Sequence, residues 1–217
     1  MTIQSIPQIA NVLRNAMVFN INNWNYSMED PGLLDQTIEK LFQILQQRKI
    51  DFVLVGGIAL LHYVNGRNTQ DLDLLMSVNA LRKIPELKVT HQDLYFARAT
   101  YDQVQIDILL TKNPLFKKVQ QKYATIQQFW DIQIPIATVE GLILLKLYAL
   151  PSLYRQGDFV RVSLYENDIA ALIQAYQPRL DILQTELALS LDQNDMREIN
   201  DILDDIQKRI RRFTDGL

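Results

Sequence analysis

Two aspartates one residue apart, Asp71 and Asp73 in TQDLDLL, are the side chains of this chain best placed to do chemistry. Residues two apart on a strand point to the same face. The two carboxylates therefore share one surface and offer hard oxygen ligands to a divalent cation. Leucines follow each aspartate, which argues for a buried strand rather than a surface edge, and two carboxylates facing one side of a buried strand need a cation or a partner. Upstream, FVLVGG runs an apolar strand into Gly56 and Gly57. A glycine turn that opens into a helix lets the backbone approach a phosphate and points free amides at it. Further on, VQIDILL sets Asp107 between strand-forming residues. If its strand lies beside the first, three carboxylates converge, as metal-assisted nucleotidyl or phosphoryl transfer requires. The dinucleotide fingerprint G-x-G-x-x-G and the lysine-bearing phosphate loop are both missing.

Several elements must position these groups. Apolar Ile38, Leu41, Phe42 and Leu45 fall at helical spacing and predict an amphipathic helix over 34–49, ahead of a first strand over 51–55. Residues 58–63 read as a short buried helix, 70–76 as the second strand, and 103–110 as a strand closed by Thr111-Lys112-Asn113-Pro114. The segment 89–99 fits neither period, and 132–136 reads as another strand. From Thr138 helical periodicity takes over. Leu142, Leu145 and Leu150 mark one face, Ile169, Leu172, Ile173 and Tyr176 a second, and Ile199, Ile202, Leu203, Ile206, Ile210 and Phe213 a third. Strands gathered before residue 137 and helices after it predict an α+β domain followed by a helical subdomain. The expected division is an N-terminal arm over 1–32, rich in Asn and Gln and ending at the turn signal Asp30-Pro31-Gly32, a core over 33–137, and a helical subdomain over 138–217.

Composition narrows the chemistry. With 217 residues and a net charge of -3, the chain is large enough for a substantial core and is no basic nucleic-acid coat. It contains no cysteine, which removes disulfides, thiolate metal sites and cysteine nucleophiles, and His62 and His91 are too few for a histidine cluster. Oxygen ligands remain. Neither a signal peptide nor a run of membrane-spanning length is present, so a cytoplasmic location without membrane contact is expected. The run Lys208-Arg209-Ile210-Arg211-Arg212 reads as the solvated end of the last helix, and Tyr148, Tyr154 and Tyr165 as core or interface aromatics.

Val55-Gly56-Gly57, then thirteen residues, then Asp71-Leu72-Asp73-Leu74 resembles the signature of the nucleotidyltransferase superfamily with the DNA polymerase beta-like fold. The segment GLILLKLYALPSLYRQGDFVRVSLYENDIAAL is similar to the helical half of its AbiEii-type branch, which includes toxins of bacterial toxin–antitoxin pairs. The resemblance implies a mixed sheet flanked by helices, and magnesium-dependent transfer of a nucleoside monophosphate from an NTP to a hydroxyl of RNA, protein or a small molecule. It also implies an antitoxin protein as a possible partner. By position, Gly56 and Gly57 would lie under the phosphates, Asp71 and Asp73 would bind magnesium, with two ions expected, and Asp107 would bind metal or act as base. Arg67 stands at a position that is often basic in this branch, and Lys146 matches the lysine of its helical segment, which would meet phosphate charge. Where the branch carries a compact Arg-x-x-Asp-x-x-Asp, this chain spreads Arg155, Asp158 and Asp168 over a longer stretch. A non-catalytic nucleotide-binding or protein-interaction module with the same fold is the alternative.

Overall fold

A computed structural model describes residues 31–64, 71–102, 104–129 and 131–214. The expected arm thus lies almost wholly outside the described residues. The chain divides into two compact units, one reaching Thr138 and one beginning at Val139. No helix among the described residues is long and apolar enough to cross a membrane.

The first unit is α+β. Helix α1 (Pro31–Gln47) is followed by β1 (Phe52–Val55), α2 (Gly56–Leu61), β2 (Leu72–Met76), α3 (Val78–Leu81), β3 (Lys88–Gln92), β4 (Phe96–Tyr101), β5 (Val104–Leu110), α4 (Pro114–Lys122), β6 (Ala124–Phe129) and β7 (Ile132–Ala137). The strands form one seven-stranded mixed sheet in the order β3-β4-β5-β2-β1-β7-β6. Parallel pairs join β1 to β7 and β2 to β5, and the remaining neighbours run antiparallel. Phe52, Leu54, Leu72, Leu74, Met76, Ile106, Ile108, Leu110 and Ile136 share one face by register, and all are buried. Helix α1 buries Ile38, Leu41, Phe42 and Leu45 completely, and the Phe42 ring stacks on Phe52 at 5.7 Å and meets Phe129 edge-on at 4.9 Å. Burying such side chains contributes about 1.5–3 kcal/mol each, which holds the helix to this apolar face.

The unassigned segment 89–99 is a hairpin. Asp93 Oδ1 accepts from the amides of Tyr95 and Phe96, both at 2.8 Å, and so fixes the turn between β3 and β4. All five residues of β3 are exposed, and a strand wet on both faces shows no apolar alternation. The stop signal Thr111-Lys112-Asn113-Pro114 also starts helix α4: Asn113 Oδ1 accepts from Leu115 N at 2.9 Å and Pro114 supplies the first helical position. Neither α4 nor β6 was expected.

The second unit is helical, with α5 (Val139–Gln156), α6 (Phe159–Tyr176), α7 (Leu180–Leu187) and α8 (Gln193–Thr214). Asp158 caps α6 by accepting from Arg161 N, and Asp192 holds the start of α8 through the amides of Asn194 and Asp195. Along α8, Ile199, Leu203 and Ile206 are buried, as the apolar stripe requires. Pro151 sits inside α5, where it removes one backbone donor from the helix.

Candidate functional site

The face of the sheet opposite α1 carries the charged residues, beside buried Val53, Val55 and Leu75. β2 pairs with β5 so that Asp73 lies directly across from Asp107, and β5 pairs with β4 so that Asp107 lies across from Arg98. Directly paired residues point the same way, so Val55, Asp73, Asp107 and Arg98 form one row over four adjoining strands. Asp71, two residues before Asp73, is reached from β5 by Gln105, whose Nε2 donates to Asp71 Oδ1 at 2.9 Å. The structure therefore brings Asp71, Asp73 and Asp107 onto one face of neighbouring strands.

Gly56 makes the position of Asp73 possible. Its φ is +67°, in the left-handed region, and a Cβ added there would lie 1.9 Å from Asp73 Oδ2 and 2.6 Å from Asp73 Cβ. Both facts call for glycine, because only glycine takes this backbone readily and leaves the space that the carboxylate fills. The next amide, Gly57 N, donates to Asp73 Oδ2 at 3.4 Å. The glycine pair thus sits directly beneath the second aspartate. At the far end of α2, Tyr63 Oη donates to the Ala137 carbonyl at 2.9 Å and ties this turn to β7.

Arg98 is the functional candidate that the sequence did not reveal. Its Nε and Nη2 donate to Asp107 Oδ1 and Oδ2 at 2.7 and 2.8 Å, a bidentate pair, and its guanidinium lies 5.6 Å from the centre of the Phe96 ring. The Asp107 bonds, with the charges of Asp107, Asp71 and Asp73 beside them, raise the guanidinium above its already high range. Arg98 thus senses all three carboxylates. It falls in the segment where no period could be assigned, so nothing in the sequence paired it with β5.

The donor type fits a hard divalent cation, since Asp73 and Asp107 set carboxylate oxygens on one face of adjoining strands. Even so, among the described residues no three acidic or histidine side chains are grouped so that they could hold one metal ion. Both Asp107 oxygens accept from Arg98, and Asp71 Oδ1 accepts from Gln105.

The remaining expected site residues lie elsewhere. Arg67 falls outside the described residues. Lys146, on α5, is buried; its Nζ lies 2.7 Å from Asp168 Oδ2 on α6 and 4.3 Å from the centre of the Tyr165 ring. Arg155 pairs with Asp195 at 2.6 Å, while Asp158 caps α6, so the spread-out Arg155, Asp158 and Asp168 each serve the packing of the helical unit.

No family model and no curated protein matches this chain. Among solved structures, it is similar to an antigenic nucleotidyltransferase-like protein from Paracoccidioides brasiliensis at 16% identity and TM-score 0.47, over 79% of this chain and 91% of that one. It is also similar to ANT(2")-Ia in complex with adenylyl-2"-tobramycin at 11% identity and TM-score 0.47, over 71% of this chain and 94% of the other. Neither likeness bears on which residues act.

Proposed function

We propose that this chain is a nucleotidyltransferase that moves a nucleoside monophosphate from an NTP to a hydroxyl acceptor. The observation that carries the reading is the cross-strand pair Asp73–Asp107, with Asp71 on the same face and Gly56 cleared of any side chain beneath Asp73. In the reaction the acceptor oxygen bonds to the α-phosphorus, the bond from that phosphorus to the β-phosphate bridging oxygen breaks, and pyrophosphate leaves. A bound divalent cation would supply charge neutralisation for the triphosphate and the departing pyrophosphate. Asp71 and Asp73 are the residues to hold it. Once Arg98 leaves it, Asp107 would take the acceptor's proton or add a further oxygen ligand, and the Gly56-Gly57 turn would meet the phosphates once the Asp73 carboxylate turns from it to the cation. For Lys146 to meet phosphate, Asp168 would have to release its ammonium. The link to a toxin–antitoxin pair rests on the AbiEii-type resemblance alone.

The test is to incubate the purified protein with each α-labelled NTP and Mg2+, together with RNA, cell protein or a small-molecule extract. Label should pass to one of these fractions. In Asp73→Asn transfer should fall about 100-fold or more, because a neutral amide is a poorer ligand and leaves phosphate charge uncompensated. Nucleotide binding without transfer to any fraction would instead establish the non-catalytic module.

A further inference from the structure

We propose that Arg98 is a built-in counter-cation that holds Asp107 out of the cation site until a nucleotide arrives and takes over the guanidinium. The inference rests on the proposed function, because it gives the three carboxylates a cation to receive. Three observations support it. The Arg98–Asp107 pair is bidentate, at 2.7 and 2.8 Å, so a guanidinium already stands as the counter-charge on both Asp107 oxygens. The carboxylates share a face by strand register, yet the described residues contain no closed three-ligand group. Finally, the two partners differ in access and reach: the Asp107 side chain is 15% exposed and the Arg98 side chain 38% exposed, so the long arginine side chain can turn toward solvent while the short aspartate stays over its strand.

The physics favours exchange over simple blockade. A guanidinium beside three carboxylates offsets part of the charge that would attract a divalent cation, so the empty site binds such a cation weakly. A triphosphate brings its own negative charge and planar sets of oxygens that match the guanidinium fork as well as a carboxylate does. When Arg98 moves to the phosphates, Asp107 is released, the site regains its charge, and the cation binds more tightly. Cation and nucleotide therefore bind cooperatively, and Arg98 carries the coupling.

Calorimetric titration with Mn2+, with and without a non-hydrolysable NTP, tests this on the full chain. For the wild type, Mn2+ should bind weakly alone and about tenfold more tightly with the nucleotide. Arg98→Gln should bind Mn2+ alone about tenfold more tightly than the wild type and lose most of the nucleotide enhancement. Arg98→Lys, which keeps the charge without the fork, should fall between them. Arg82→Gln, an exposed arginine elsewhere on this unit, controls for net charge and should behave as wild type. If Arg98→Gln and Arg98→Lys keep the wild-type affinity and the wild-type enhancement, the inference is overturned while the proposed function stands. If the wild type binds no Mn2+ even with nucleotide, or Asp73→Asn binds it equally well, the proposed function falls and the inference with it.

Discussion

Gly56 is the residue on which the site's geometry depends. Any other residue there meets two penalties at once, a backbone at φ +67° and a Cβ 1.9 Å from the Asp73 carboxylate. Gly56→Ala is expected to lose about 2 kcal/mol or more of stability, read from urea unfolding, and to weaken nucleotide binding because Asp73 must move. A fully stable variant with unchanged affinity would show that the close approach does not matter. Asp71, Asp73 and Asp107 stood out as candidates in the sequence because alternation sets a carboxylate opposite apolar neighbours within each strand, but that Asp107 shares a face with Asp73 needed the pairing of β2 with β5. Arg98 and Gln105 were not legible as partners, because their roles depend on which strands are neighbours and in what register. Local pattern does not encode that pairing.

Elements with a strong apolar period were readable, and those without one were not. Helix α1 and helix α8 each present a continuous stripe, whereas β3 is exposed throughout, α4 is short, and α7 buries only Leu183 and Leu187 of its eight residues. Between α5 and α6 the buried Lys146–Asp168 pair matters most for packing, with both side chains at most 7% exposed. Asp168→Asn removes the carboxylate charge that lies 2.7 Å from the buried ammonium and should destabilise the fold by about 3–5 kcal/mol in denaturant unfolding. Replacing both partners by apolar residues should cost much less than that single change. Tyr154 on α5 gives a test in pH. Burial, then its hydrogen bond to Glu166 and the Glu166 charge, push the phenol up to about 12, with Arg209 opposing. Because the folded value lies above the unfolded one, its contribution is complete below about pH 10 and is lost as pH rises toward 12. Thermal melts from pH 8 to 11.5 should therefore fall less steeply for Tyr154→Phe than for the wild type, and parallel curves would exclude the assignment.

Every carboxylate of the candidate site belongs to the sheet unit, so ligands should report on the molecule unevenly. With Mn2+ and a non-hydrolysable NTP at about 100 times the dissociation constant, the sheet unit should gain about 2.7 kcal/mol. Scanning calorimetry should show its melting rise in the wild type and stay unmoved in Asp73→Asn. A rise of equal size in the variant would locate binding elsewhere. The sheet also sets the order in which the chain can assemble. Hairpins β3-β4, β4-β5 and β6-β7 close over short loops, and β2 joins β5 over an intermediate span, while β1 meets β7 through Leu54 and Ile136, far apart along the chain. Loop-closure entropy makes that parallel seam slow and late. The Asp73–Asp107–Arg98 row, which needs only β2, β5 and β4, is then expected to assemble before the seam closes. Substitutions at Ile136 should accordingly speed unfolding with little effect on folding rate, whereas those at Ile106 should slow folding. In that order of assembly the like charges of Asp73 and Asp107 would meet before the rest of the sheet is complete, and Arg98 is the group at hand to make that encounter tolerable.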